Sequence, residues 1–212
     1  ARLLGLEYIA ICDHSKSLGI ARGLDEGRLR EQIGEIDKIN ERLDDFVVLK
    51  GVECDIKADG SLDLPNAVLK DLDLVVGSVH SGFKSDEEKM TERNITAMHN
   101  DYIRAIGHPT GRLIQKRQPY AINLERVFEA AASQRVMMEI NAFPDRLDLD
   151  DVNSRAAMER GVVMSIGTDA HSPSQIEFLL LGVSVARRGW LTAKDVANTL
   201  SAKDLLRRLR RG

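Results

Sequence analysis

Cysteine is scarce in this chain, since only Cys12 and Cys54 occur among its 212 residues. Two cysteines cannot form the dense disulfide framework that stabilises many small secreted domains. Both lie inside apolar segments, which favours reduced thiols in a cytoplasmic protein, with one disulfide as the alternative. Proline is also rare, at five residues, and no stretch rich in proline, glycine or serine divides the chain. We therefore expect residues 1–212 to form a single domain.

The sequence also lacks long apolar runs and a strong excess of one charge. No apolar run is long enough to cross a bilayer, and no signal-peptide pattern opens the chain, so no membrane association is predicted. Lysine and arginine number 30 against 33 acidic residues, a net charge of −3, so the surface as a whole is not expected to attract nucleic acid. Basic residues are concentrated in residues 203–212, where the helix dipole favours cations; a solvated helix end is preferred over a nucleic-acid contact.

Six short segments rich in valine and isoleucine alternate with segments of helical periodicity. Continuous apolar segments are typical of parallel strands covered on both faces. The predicted strands are residues 8–12, 46–52, 72–79, 102–106, 136–140 and 162–166, and the predicted helices are residues 25–43, 86–98, 124–134 and 151–160. This order predicts an α/β fold, with a barrel of the (β/α)₈ type favoured over a doubly wound sheet. No G-x-G-x-x-G motif follows a strand, so a dinucleotide-binding sheet has no support.

Four of the five histidines come just after a predicted strand. In a parallel barrel the carboxyl ends of the strands meet at one rim, where active sites form. The candidate metal ligands at that rim are His14, Glu53, His80, His108, Asp169 and His171. Imidazole and carboxylate ligands together suit Zn²⁺, Mn²⁺ or Fe²⁺, and six donors indicate two or three ions. Paired ions suit hydrolysis of a phosphate ester.

Each of these residues also has a structural interpretation. A histidine can cap a helix or be satisfied within the core, and Glu53 alone would more often pair with an arginine. The regular placement at strand ends favours the metal site, because histidines placed by chance would be scattered over helices and loops. His99 lies at the end of a predicted helix and is excluded from the site.

Phosphate binding requires cations beside the metal ligands. Lys16 and Arg22 follow His14, and Arg112 follows His108, so these three are the candidate phosphate-binding residues. Lys116 and Arg117 come soon after, and we interpret them as ordinary surface charge.

The motifs around the candidate ligands resemble those of the PHP (polymerase and histidinol phosphatase) superfamily. They are Asp13-His14, Gly51-Val52-Glu53, Ser78-Val79-His80, Gly107-His108-Pro109 and Thr168-Asp169-Ala170-His171. Further segments resemble the PHP domain of bacterial and archaeal X-family DNA polymerases: residues 13–17, 19–24, 59–65, 78–83, 90–93, 107–113, 139–142, 144–149 and 186–191.

The resemblance implies a distorted (β/α)₇ barrel with a trinuclear metal site that removes nucleotides from DNA 3′ ends. It implies that Glu53 bridges two ions and that His80 and His108 bind the second. Asp169 would bind the first ion, and His14 with His171 the third. A polymerase domain upstream in the same natural chain would be its partner.

The sequence departs from the family pattern at its start. The family opens with a strand that ends in His-x-His, followed by another ligand, and none of these is found here. Residues 1–4 are predicted to be the last turn of a helix ended by Gly5. We therefore expect a barrel that lacks its first strand and helix. Two other interpretations stay open: a phosphomonoesterase acting on a small substrate such as histidinol phosphate, and a non-catalytic module that stabilises a polymerase domain.

Overall fold

Six parallel strands form one sheet, in which every strand is hydrogen-bonded to its neighbours in chain order. The computed structural model describes residues 1–17, 19 and 22–210. The strands are β1 (Tyr8–Ile11), β2 (Val47–Asp55), β3 (Leu74–Ser78), β4 (Ile103–Ile106), β5 (Met137–Asn141) and β6 (Met164–Gly167). The α-helices are α1 (Glu26–Asn40), α2 (Asn66–Leu69), α3 (Glu87–Met98), α4 (Leu124–Gln134), α5 (Asp151–Glu159), α6 (Leu179–Arg188) and α7 (Ala202–Leu209).

The predicted α/β class with a curled parallel sheet is confirmed. A doubly wound sheet requires the strand order to reverse, and in this sheet it does not. β1 and β6 are the two edge strands. β2 pairs with β1 through its first half and with β3 through its second half, with registers Tyr8↔Val47 and Gly51↔Leu74. Since all pairs are parallel, the carboxyl ends of the strands lie along the same side of the sheet.

Local sequence explains where the helices begin and end. Asp25, Asp86, Asn123, Asp150 and Ser201 are N-caps, and each side chain accepts a hydrogen bond from a backbone N–H three residues later. Glycine follows two of the helical segments, and the predicted end at Gly5 is correct. Gly161 follows α5 with φ of +82°, and Gly5, with φ of +75°, ends a 3₁₀ turn over Arg2–Leu4.

Two apolar clusters enclose the sheet. The larger one joins the sheet to the helices, and α3 packs against α4 within it. The smaller one lies against the other face, where Leu205 and Leu209 of α7 pack with Leu49, Ala105 and Met137 of the strands. The basic residues Arg207 and Arg208 of α7 are exposed, as expected for the solvated face of an amphipathic helix.

The cysteines are both free thiols, in agreement with the simpler prediction. Cys54 is buried and its Sγ lies 3.2 Å from Asp63 Oδ1. Among residues 1–17, 19 and 22–210 there is no helix with the length and apolarity needed to cross a membrane.

Candidate metal centre

His14 and Glu53 are brought together by the pairing of β1 with β2. The pairing continues past the end of β1 as a parallel bridge between the two residues. The Glu53 N–H donates to Asp13 O at 3.0 Å, and the Ser15 N–H donates to Glu53 O at 2.9 Å. A residue after one strand and a residue within the next therefore lie side by side, although 39 positions separate them in sequence.

Glu53 is the centre of the candidate site. Its Oε1 lies 2.9 Å from His108 Nε2 and 3.3 Å from His80 Nε2, and its Oε2 lies 3.1 Å from His14 Nδ1. The imidazole rings of His14 and His80 are 5.2 Å apart, and those of His80 and His108 are 5.1 Å apart. Three histidines from the ends of three strands thus surround one carboxylate.

The donor set fits a divalent cation. One ligand atom each from His14, Glu53 and His80 lie within 4.8 Å of one another. His14 Nδ1 and His80 Nε2 are buried and have no hydrogen-bond partner within the described chain, although both are close to Glu53. A buried polar atom without a partner is costly. Ring nitrogens that converge in this way on a carboxylate are suited to coordination of an ion such as zinc.

Burial and charge shift the pKa values of these groups in different directions. Burial lowers the pKa of His14. For His80 burial also favours the neutral ring, but the hydrogen bond to Asp55 and the nearby Glu53 carboxylate outweigh it and raise the pKa to about 9. Burial acts to raise the pKa of Glu53, but the hydrogen bond with His108 and the nearby His80 ring hold it well below its usual range. The central carboxylate is therefore ionised and is balanced by the imidazoles around it.

Asp55 orients His80 from the side opposite Glu53. Glu53 and Asp55 are two positions apart on β2, so their side chains share one face of the sheet. His80 Nδ1 lies 2.7 Å from Asp55 Oδ1, which directs Nε2 of the same ring toward Glu53. Asp55 is 9% exposed, so this hydrogen bond is largely shielded from solvent. Residue order alone did not reveal this contact.

Asp55→Ala is expected to weaken binding of divalent metal by about 10- to 100-fold, since loss of a carboxylate that orients a metal-binding histidine has effects of this size. Asp55→Asn retains an acceptor oxygen and should lose less. Calorimetric titration of metal into the metal-free chain measures both variants. Equal affinities for Asp55→Ala and the unmodified chain would contradict the orienting role.

A second group of polar side chains extends from β5 and includes Glu139 and Asn141, which the sequence interpretation left outside the site. Glu139 accepts a hydrogen bond from the His108 backbone N–H at 2.7 Å. Asn141 Nδ2 donates to Asp169 Oδ2 at 3.2 Å. Burial, together with the negative charges of Glu53 and Asp169, raises the pKa of Glu139 to about 8, although the hydrogen bond from the His108 N–H acts to lower it. Glu139 and Asn141 are two positions apart at the end of β5, and this spacing alone could have indicated that both side chains lie on the same face of the sheet.

His171 lies farther out than the other candidate ligands. Its Nδ1 is 2.7 Å from the backbone oxygen of Asp169 and 3.9 Å from Asp169 Oδ1, and its side chain is 66% exposed. Phe143 packs edge-on against its ring. His14, Glu53, His80 and His108 are therefore gathered together, Asp169 lies beside Asn141, and His171 lies at the surface.

The three predicted phosphate-binding cations have different surroundings. Lys16 and Arg22 are exposed, and Arg22 has a positive φ of 53°. Arg112 is directed toward the main chain: its Nε donates to Arg146 O at 2.8 Å, and its Nη1 lies 3.2 Å from Asp150 Oδ2. Their contact with phosphate stays a prediction.

A cavity of about 1480 Å³ opens beside this group of residues, between β1 and β6. His14, Glu53, Glu139, Asp169 and His171 line one end of it. The rest of the lining includes apolar residues of the sheet and of α7: Ile9, Ile11, Leu49, Val76, Met137, Leu205 and Leu209. The cavity thus combines polar side chains at one end with a largely apolar wall.

Comparisons with known proteins relate this geometry to a family. No family model matches the chain. The DNA polymerase/3′-5′ exonuclease PolX of Bacillus subtilis (strain 168) is 42% identical over 201 residues, which cover 95% of this chain and 35% of that protein. A protein of Thermoanaerobacter sp. (strain X514), named "Probable phosphatase", is 30% identical over 205 residues, which cover 92% of this chain and 79% of the relative.

A solved structure has the same fold. Histidinol phosphate phosphatase from Lactococcus lactis subsp. lactis Il1403, solved with zinc, L-histidinol and phosphate, matches with a TM-score of 0.57 and 15% identity, over 90% of this chain and 84% of that one. This chain belongs to the PHP superfamily. The predicted membership is confirmed, and these PHP relatives are named for hydrolysis of phosphate esters.

The PHP fold also recurs in another setting. A chain in the cryo-EM structure of archaeal ribonuclease P with mature tRNA matches with a TM-score of 0.58 and 16% identity, over 98% of this chain. This chain spans about a third of the Bacillus subtilis relative's length.

Proposed function

We propose that this PHP domain is a metal-dependent phosphoesterase that uses two or three divalent ions, Mn²⁺, Zn²⁺ or Fe²⁺. One observation carries the proposal: three histidines from separate strand ends surround the Glu53 carboxylate within 3.3 Å. The zinc-containing phosphatase with the same fold supports the choice of cofactor. Bound ions would stabilise the charge that develops on a phosphate ester and would supply hydroxide at neutral pH.

The proposal assigns a ligand role to six residues. Glu53 would be shared by two ions, His80 and His108 would complete the second ion's protein ligands, and Asp169 would hold the first. His14 and His171 would hold the third, for which the exposure of His171 leaves its ring accessible.

The other residues of the site hold these ligands in place. Asp55 fixes the ring of His80 by the hydrogen bond to Nδ1. Glu139 accepts a hydrogen bond from the His108 backbone N–H and so fixes the turn at His108. The side-chain amide of Asn141 donates to the Asp169 carboxylate and holds it in place. Such support limits the reorganisation needed when an ion and a substrate bind.

The proposed substrate is the 3′ end of DNA. The PolX relative, named as a 3′-5′ exonuclease, supports this assignment through its 42% identity to the chain. By the same analogy, we propose that a DNA polymerase region is the natural partner. We also propose that residues 1–212 form a single functional domain and that the protein is cytoplasmic.

A phosphomonoesterase is the second candidate, because a relative that this chain covers over 79% of its length is named as a phosphatase. The two activities are separated by incubating the metal-loaded chain with a 5′-labelled single-stranded oligonucleotide and, separately, with p-nitrophenyl phosphate. Stepwise shortening of the oligonucleotide supports the exonuclease. Release of p-nitrophenol without shortening supports the phosphomonoesterase, and no turnover of either substrate contradicts both.

His99→Ala is expected to leave hydrolysis within about twofold of the unmodified chain, as surface substitutions far from a site usually have small effects. His99 caps the end of α3, where its Nδ1 lies 2.9 Å from Ile95 O. The same two assays measure the effect. A loss of tenfold or more would mean that His99 belongs to the site.

A further inference from the structure

A small pocket at the amino ends of β4 and β5 is lined by four arginines. Its volume is about 50 Å³, and the residues around it are Arg104, Arg135, Met137, Arg208, Leu209 and Arg210. Met137 begins β5, whereas Asn141, at the other end of the same strand, contacts Asp169 of the metal centre. The two ends of a strand of this length are about 13 Å apart. The pocket and the metal centre therefore lie at opposite ends of the sheet.

The four arginines come from three parts of the chain. Arg104 is on β4, Arg135 directly follows α4, and Arg208 and Arg210 are at the end of α7. The Nε of Arg104 donates to Leu209 O, which fastens the last turn of α7 to β4. The basic segment at the end of α7 is thus joined by two arginines that no pattern in the sequence connects with it.

Three of these arginines have no carboxylate partner. Arg135, Arg208 and Arg210 form no ion pair with any residue that the structure describes. By contrast, Arg207, the residue before Arg208, lies 2.6 Å from Asp204 of the same helix. Partial burial lowers the pKa of Arg208, and the positive charge of Arg135 also lowers it, so the two guanidinium groups are within electrostatic range of each other. Like charges held this close are unfavourable unless a negative charge lies between them.

The ends of two helices supply only part of that negative charge. The carboxyl ends of α4 and α7 both lie at the pocket, since Arg135 follows the first and Leu209 ends the second. A helix carboxyl end is equivalent to about half a negative charge, so the two ends together offset about one of the three positive charges. About two positive charges remain, and an anion from outside the protein would balance them.

We propose that Arg135, Arg208 and Arg210 bind a phosphate group at this end of the sheet, away from the metal centre. The inference goes beyond the proposed function, because it requires neither the metal ions nor hydrolysis. A guanidinium donates paired N–H groups that match two oxygens of a phosphate.

The size of the pocket selects a single phosphate group. At about 50 Å³ it has room for more than one water molecule. Pockets that enclose a whole small-molecule ligand measure roughly 300 Å³ or more, so the remainder of a larger ligand would lie outside. The backbone of a nucleic-acid strand and free phosphate both present the same group.

Methyl NMR of a methionine-labelled chain observes this pocket separately from the metal centre. Met137 lines the pocket, and its methyl signal is assigned by comparison with Met137→Leu. The full chain is loaded with Zn²⁺, which is diamagnetic, and is titrated with inorganic phosphate at constant ionic strength. We expect the Met137 signal to move as the pocket fills, and the phosphate concentration at half of the total shift gives the affinity.

Substitutions separate the pocket from the general effect of charge. Arg135→Ala and Arg208→Ala are each expected to weaken this binding by about 10- to 100-fold, the size typical of a lost hydrogen bond to a charged group. Arg208→Lys should retain part of the affinity, since an ammonium keeps the charge but not the paired donors. Arg207→Ala is the matched control, because it removes the same charge from the neighbouring position of α7. Arg207 is 76% exposed and pairs with Asp204, so the affinity should change by less than about twofold.

Two further probes identify the source and the kind of anion. A single-stranded oligothymidylate without terminal phosphates that moves the Met137 signal at a lower concentration than inorganic phosphate does indicates the backbone of a nucleic acid. The opposite order indicates free phosphate. Sodium acetate tests for a carboxylate, and we expect it to bind more weakly, because it has a smaller charge and fewer acceptor oxygens than phosphate.

Three results would overturn the inference. They are a Met137 signal that neither phosphate nor the oligonucleotide moves, an affinity that is unchanged in Arg135→Ala and Arg208→Ala, and acetate binding as tight as that of phosphate. The thermal midpoints of the variants should match that of the unmodified chain. If Arg208→Ala does not fold, Arg135→Ala and Arg208→Lys still decide the question. Hydrolysis enters none of these measurements, so the proposed function can fail or stand independently.

Discussion

Glu53→Gln is expected to lower the rate of metal-dependent hydrolysis by about 10³-fold or more. Metal ions held by the Glu53 carboxylate would stabilise the transition state by several kcal/mol, and that stabilisation would be lost with them. Glu53 contacts three histidines at once, so its substitution affects several candidate ligands together. Glutamine has the same shape but no charge, and its amide nitrogen cannot coordinate a cation in place of an oxygen.

Metal content gives an independent reading of the same variant. Elemental analysis after removal of excess metal should show fewer ions per chain in Glu53→Gln than in the unmodified protein. Glu159→Gln is the matched control, since Glu159 is an exposed glutamate that pairs with Arg155. Full metal content together with full activity in Glu53→Gln would refute the bridging role.

Phe128→Ala is expected to reduce the free energy of unfolding by about 3–5 kcal/mol, the range found when a buried aromatic ring is removed and a cavity remains. Phe128 lies on α4, is 1% exposed and belongs to the larger apolar cluster. Since a domain of this kind is stable by only about 5–15 kcal/mol, the change removes a large share of the total.

Urea unfolding followed by circular dichroism measures this loss as a lower midpoint at a constant m-value. Val152→Ala serves as the control, because Val152 is 72% exposed and its truncation should change stability by less than about 0.5 kcal/mol. A loss below about 1 kcal/mol for Phe128→Ala would mean that the core closes around the missing ring.

Several features of the site were predictable because they depend on local order along the chain. Apolar segments followed by histidine recur at regular intervals, and parallel strands place their carboxyl ends together. His80 and His108 were therefore predicted to be neighbours although 28 positions separate them in sequence, and the structure places their rings 5.1 Å apart.

Other features depended on where side chains point. Glu139 lies inside an apolar strand and was given no role in the site, yet it accepts a hydrogen bond from the His108 backbone N–H. Arg112 follows His108 in sequence, and its contact with phosphate stays a prediction; the structure adds that its guanidinium donates to the backbone of residues 146 and 147. The loop path after β5, which brings Arg146 to Asp169, cannot be derived from residue spacing.

The sequence by itself determined the α/β class and the position of the candidate ligands at the ends of strands, because periodicity and strand-end position are properties of the chain. Only the tertiary structure decided which partners complete the site: Asp55 for His80, Glu139 for His108, and Arg146 for Asp169. The physical reason is that hydrogen bonds and ion pairs act over about 3 Å. Strand register and loop geometry decide which groups come within that distance.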